Sequence, residues 1–304
     1  MSVESRPAHD LATLSFESLG RPITGPRALT DDWVRFWHLT FNIARTQWKM
    51  RFFGSALGYL WQLVRPLLLF GVLWVFFTQI AQVGQGAGAG PGQPEHFYGV
   101  QLLGSIVLFT FFAEGTSGSV RSVLDSEALV RKIQFPRLVI PLSVVLLSLF
   151  NLSLNLIVVF VFALASGVRP MLTWLELPLI IAMLAVLTTG LAMLLSAMMV
   201  YFRDISPIWE VATQVIFYAS PVIIPLSIIQ QKLSPPLVHL YMANPIATVL
   251  QQFRHAIINP ATPSAGAALG GQIRLLIPIA IVVAIFWIGF YVFNRTAPYV
   301  AENL

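Results

Sequence analysis

The chain has 304 residues, of which 57% are apolar and only 10% charged, with a mean hydropathy of +0.77. An ordinary soluble domain is about a quarter charged, so this composition excludes a soluble enzyme and points to an all-α integral membrane protein. There is no cysteine, which rules out disulfides, thiolate metal sites and cysteine catalysis, and the net charge of +5 sits beside apolar runs, where anionic membrane lipids rather than nucleic acid are the expected partner.

Residues 1–31 read as a cytoplasmic N-terminal tail. The first long apolar run begins after about 55 residues, too late for a signal peptide, so a retained N-terminus is expected. Across 32–53, Trp33, Trp37, Phe41, Ala44, Trp48 and Phe52 recur at steps of three and four, while Arg35, His38, Asn42, Arg45 and Lys49 recur on another face. This period predicts an amphipathic helix, capped by Asp31 or Asp32, lying in the membrane interface. It suits a plain anchor or a gate or docking helix, and periodicity leaves both open.

Within 54–304, six stretches reach the length of about 20 apolar residues that a spanning helix needs: 60–80, 97–118, 138–165, 174–200, 208–229 and 275–293. Six transmembrane helices are expected. The run 84–92 alternates glycine with small residues and reads as a flexible loop, because a nucleotide fingerprint needs a strand before it and a helix after it. Between spans two and three, charges of both signs surround Leu124, Ala128, Leu129 and Ile133, which predicts a short helix near 119–135 that Phe135 and Pro136 end. Partner docking and simple connection both fit it. Beyond span five, Pro221, Pro225, Pro235 and Pro236 break the apolar pattern, and Asn244 and Pro245 precede a helical stretch over 246–258. Short re-entrant helices on the outer side, near 219–271, are the expected result.

Fourteen of the eighteen Lys and Arg residues fall in the N-terminal segment, span one, the loops after spans two and four, and the tail; Arg169, Lys232, Arg254 and Arg274 fall on the other side. The positive-inside rule then predicts a plasma-membrane protein with both termini cytoplasmic.

Catalytic signatures are missing. The lysines Lys49, Lys132 and Lys232 each follow a residue other than glycine, so the sequence holds no P-loop, and neither H-E-x-x-H nor G-x-S-x-G occurs. No cofactor or metal is expected in this chain. Glu114 is the carboxylate well inside a span, and Arg65 lies at a comparable depth in span one, so the two are candidates for an intramembrane ion pair, with a structural or a functional role. Tyr59, Trp61, Phe109, Phe112, Phe217 and Tyr218 are candidates for a path along which sugar rings slide over aromatic faces, although most aromatics of such a chain face lipid.

The order of segments carries one further signal. SALGYLWQLVRPLL at 55–68, ALVRKIQFPRLVIPL at 128–142, YFRDI at 201–205, FYASPVIIP at 217–225, and Asn244 with Pro245 follow the amphipathic stretch in turn. This order resembles the membrane subunit of ATP-binding-cassette exporters for polysaccharides and polyol phosphates, the family of O-antigen, teichoic acid, capsule and galactan exporters. The resemblance implies a homodimer with a channel at its interface, joined by two copies of a cytoplasmic ATPase that holds ATP and Mg. It implies an ATPase-docking coupling helix at Ser126, Glu127, Ala128, Leu129, Val130, Arg131 and Lys132. It further implies a gate helix through Trp33, Trp37, Phe41, Arg45, Trp48 and Lys49, and an outer path that includes Phe217, Tyr218, Ser220, Pro221, Asn244 and Pro245. The cargo it implies is a polyprenyl-lipid-linked polysaccharide of O-antigen or galactan type. Export of teichoic acid, a drug or a lipid by the same topology is one rival reading. A membrane enzyme acting on polyprenyl-linked sugars is another, which would need clustered carboxylates, and a third is an ion-coupled carrier.

Overall fold

A computed structural model describes residues 33–51, 58, 60–80, 97–127 and 135–297. Among the described residues the chain is helical throughout, without strands. Helix α1 is Trp33–Arg51, where the three-to-four period predicts it. Its inward face is Phe36, Thr40 and Ala44, while Trp33, Trp37 and Phe41 of the apolar stripe are exposed. The small side chains let α1 lie close on its neighbour, and the large aromatics occupy the flank, Phe41 and Trp48 packing edge-on against Phe150.

Among the described residues five helices are long and apolar enough to cross a membrane: Leu60–Ile80, Tyr98–Val120, Val139–Ala165, Leu172–Tyr201 and Gln272–Thr296. We call α2 the segment Leu60–Val75, which ends in a π-turn, Phe76–Ile80. Pro66 lies inside it and deprives the Gln62 carbonyl of its usual amide donor. Helix α3, Tyr98–Val120, is apolar around its whole circumference apart from a few polar positions, and such a helix belongs at a centre. It is indeed the most enclosed span, 78% buried against 11% for α2. Around it stand α2, α5 (Val139–Ala165) and α6 (Leu177–Tyr201), with the short α4 (Ser122–Asp125) at its end.

The expected crossing at 208–229 is not one helix. Helix α7 runs Ile205–Tyr218 and stops; fourteen residues rise about 21 Å, short of the roughly 30 Å of a bilayer core. Pro221 lacks an amide donor, Pro225 precedes the next helix, and the chain turns between them before α8, Leu226–Lys232. Then follow α9 (Pro235–Met242), α10 (Pro245–Phe253) with its π-turn Arg254–Ile258, and α11 (Ala265–Ala268). Helix α12, Leu276–Thr296, packs tightly along α6. A Cβ on Gly289 would lie 2.1 Å from the Gly190 carbonyl oxygen, so these two glycines permit backbone-to-backbone approach.

Candidate functional site

Three polar or aromatic constellations stand out against this apolar frame. The first surrounds Glu114 of α3. Gln62 Nε2 of α2 donates to both carboxylate oxygens at 3.2 and 3.3 Å, Asn151 Nδ2 of α5 donates to Oε2 at 2.9 Å, and Arg51 Nη1 at the end of α1 stands 4.0 Å from Oε2. One carboxylate thus joins four helices. The expected Arg65 pair is not the arrangement found, because Gln62, Pro66 and Phe70 form the packed stripe of α2 at four-residue steps while Arg65 lies off that stripe and is exposed. Arg51 takes the cationic role at long range. Sequence reasoning missed Gln62 and Asn151 since neutral amides inside a span attract no notice by charge.

The second is the end of the bundle from which α4 leads. Ser126 and Glu127 close the described part of that segment; Ala128, Leu129, Val130, Arg131 and Lys132 lie outside the described residues, as does Tyr59. On either side of the gap, Val123, Phe135 and Leu138 are buried in one cluster with Phe36 of α1 and with Met193 and Phe293 of the α6–α12 pair. Val123, Phe135 and Leu138 therefore touch the inward face of α1 through one shared cluster. Beside the cluster, Trp33, Trp37, Leu142, Leu149, Trp287 and Phe290 help to line an apolar cavity of about 420 Å³.

The third lies on α7. Of the expected path aromatics, Phe109 and Phe112 are core residues: Phe112 is 1% exposed and packs against Phe109 and Trp209. Phe217 meets Phe109 edge-on at 5.0 Å, and Trp209 Nε1 donates to Thr116 Oγ1 at 3.1 Å, so α7 is held on α3 by two aromatic anchors. Trp61 and Tyr218 are exposed, the latter by 77%. No residue of α7 is buried, and its free side carries Glu210 and Gln214 among Ile208, Val211 and Val215. Two polar side chains four residues apart on an exposed apolar helix call for water or a partner rather than lipid.

At the break that follows, Arg254 is buried in the protein. Its Nη2 donates to the Pro221 carbonyl, to the Val222 carbonyl at 3.3 Å and to Ser105 Oγ at 3.1 Å. In a continuous helix the Val222 carbonyl would accept from the Leu226 amide, whereas the Pro221 carbonyl would face Pro225, which has no N–H to give. Burial pulls the guanidinium down to about 10, and it stays protonated at neutral pH. Asn244 completes the frame: its Oδ1 accepts from the Ile246 amide at 3.0 Å, capping α10, and its Nδ2 donates to Ser220 Oγ at 3.0 Å. The carbonyls left over at the end of the π-turn are met by Thr173 Oγ1 and Trp174 Nε1, at 2.6 and 3.0 Å.

Among the described residues, apolar helices long enough to span a bilayer, joined by a few polar side-chain links, define an integral membrane protein. The chain belongs to the ABC-2 type transporter family, which it matches over residues 38–258. It is similar to an O-antigen export system permease protein RfbA of Klebsiella pneumoniae, 26% identical across 84% of this chain and 91% of that protein. A protein of the same name from Myxococcus xanthus is 28% identical across 88% of this chain and 95% of its own length.

Proposed function

We propose that this chain is the permease half of an ATP-driven exporter that moves a polyprenyl-lipid-linked polysaccharide, of O-antigen or galactan type, out across the plasma membrane. The observation that carries the reading is the match along nearly the whole chain to permeases named for O-antigen export. Two copies associate through the surfaces that the fold leaves least covered, α2 and α7, and the channel runs between them along Glu210, Gln214, Trp61 and Tyr218. Both termini face the cytoplasm, and the short helices α8 to α11 form the outer cap. With no P-loop in the sequence, ATP and Mg are bound by two copies of a separate ATPase, which docks at 126–132.

In this mechanism closure of the ATPase pair pushes the docking segment, and the cluster of Val123, Phe135, Leu138 and Phe36 passes the push to α1. The α1 helix lies at the cytoplasmic interface and gates entry. Its other end is tethered to α3 by the Arg51–Glu114 pair, an exposed and long contact that yields at little cost. Purification of tagged protein from its native membrane in mild detergent, with the stoichiometry of bound chains read by mass spectrometry, tests the reading. An equimolar P-loop ATPase is the expected companion, and a lone chain in every detergent would overturn it.

A further inference from the structure

At the end of the bundle that carries the short helices, α6, α10 and α12 enclose a cavity of about 460 Å³ that none of the transport steps above uses. Its lining is divided. Leu179, Ile180, Met183 and Ile279 form one part, and Glu176, Gln252, His255 and Gln272 another. Leu179 and Ile279 are exposed, so the apolar part opens sideways where lipid chains run. Glu176 is the fifth residue of the span Leu172–Tyr201, about 8 Å in from its start at the rise of a 3₁₀ turn, which places the carboxylate near headgroup level.

Glu176 stands at the N-cap of α6, where the helix dipole favours a carboxylate, yet its side chain makes no capping bond. Its carboxylate instead accepts a 2.6 Å hydrogen bond from Gln252 Nε2, and that amide is itself oriented, because Gln252 Oε1 accepts from the Ala265 amide at 3.0 Å. Gln272 is likewise fixed: a Cβ on Gly266 would come within 2.3 Å of Gln272 Oε1, so the amide lies flat on that glycine. His255 Nδ1 spends itself on the Thr262 carbonyl at 2.7 Å. Among the described residues, no cation pairs with Glu176. A rigidly held carboxylate at the mouth of an apolar slot lacks only a positively charged hydrogen-bond donor.

We infer that this cavity binds a membrane phospholipid through a primary-amine headgroup, with an acyl chain along Leu179, Met183 and Ile279 and the ammonium on Glu176. The chemistry separates headgroups of the same chain length. A primary ammonium both neutralises the carboxylate and donates N–H bonds to it. A choline has the charge but no N–H, and a glycerol phosphate brings a second negative charge.

The test uses the full chain, purified with whatever subunit accompanies it, in phosphatidylcholine nanodiscs doped with phosphatidylethanolamine or, separately, phosphatidylglycerol. Retained lipid is read by native mass spectrometry, and the melting midpoint is recorded alongside. Phosphatidylethanolamine is expected to be retained about tenfold over either competitor, the discrimination of one charge-assisted hydrogen bond, and to raise the midpoint. Glu176→Gln should bring that preference close to one. Ile279→Trp, a change on an exposed position, fills the apolar part and should release phosphatidylethanolamine even if the first variant fails to fold. Equal retention of the three lipids by the unaltered protein overturns the proposal, as does a preference that survives either substitution.

Discussion

Gly190 and Gly289 set the distance between α6 and α12, since even one methyl group on Gly289 would overlap the opposite backbone. Gly289→Ala is therefore expected to cost about 1–3 kcal/mol, the range for overpacking a close contact, seen as a lower unfolding midpoint in detergent. Gly71→Ala on α2 is the control, because nothing stands within 4 Å of its added carbon and the midpoint should hold or rise slightly. Glu114 makes a different demand. Its bonds to Gln62 and Asn151 are shielded and charge-assisted, whereas its Arg51 contact is long, with 39% of the Arg51 side chain exposed. A double-mutant cycle on Arg51→Gln and Glu114→Gln should return a coupling below about 1 kcal/mol. Asn151→Leu, which strips a donor from a partly buried carboxylate, should cost about 1.5–3 kcal/mol. A coupling larger than the Asn151 effect would reverse this ranking and make Arg51 the main anchor.

For whole elements, the two unusual ones are α1 and the break after α7. On α1 the packed face places the small Thr40 and Ala44 beyond Phe36, and Thr40→Leu should lift the helix off α5 and destabilise the protein by about 1–3 kcal/mol, whereas Trp37→Ala on the exposed flank should change stability little. Unfolding midpoints of the two variants, measured together, check the assignment of faces. The break persists because Arg254 meets the Pro221 and Val222 carbonyls, while Asn244 ties the Ser220 hydroxyl to the capped start of α10. Asn244→Ala is expected to lose about 1 kcal/mol through the missing cap, and Arg254→Met to lose more, since the freed Pro221 and Val222 carbonyls each cost about 1–3 kcal/mol when buried unpaired. Protease accessibility of the segment between α7 and α8 would rise in the second variant well before it rose in the first.

In the molecule as a whole, Val123, Phe135 and Leu138 share one apolar cluster with Phe36 of α1, while the Arg51–Glu114 contact lies at the other end of that helix. Motion applied at one end can therefore be resisted or released at the other. If the segment near Arg131 and Lys132 receives the ATPase, replacing both with Glu should abolish export while leaving the unfolding midpoint of the permease unchanged. Export measured in cells carrying that double variant decides the point, and undiminished export would remove the docking assignment.

Much of this protein was legible in its residues one after another. Five spans are set by length and apolarity, the α1 helix by its three-to-four period, and the interruption near 219–225 by prolines that cannot donate. These are local properties, and solvent reads them directly. Which face of each helix turns inward, by contrast, depends on how the helices pack against one another. Inside a bilayer an apolar side chain gains no transfer energy by leaving lipid for protein, so hydropathy does not mark the packed side. The period of α1 therefore showed a wide apolar face without marking Phe36, Thr40 and Ala44 as the packed part of the helix, Phe109 and Phe112 looked like path residues when they are core, and Arg65 looked like the partner of Glu114 when two neutral amides and Arg51 are. The choice falls to small residues that allow approach and polar groups that need a partner, and those reveal themselves only when the helices stand side by side.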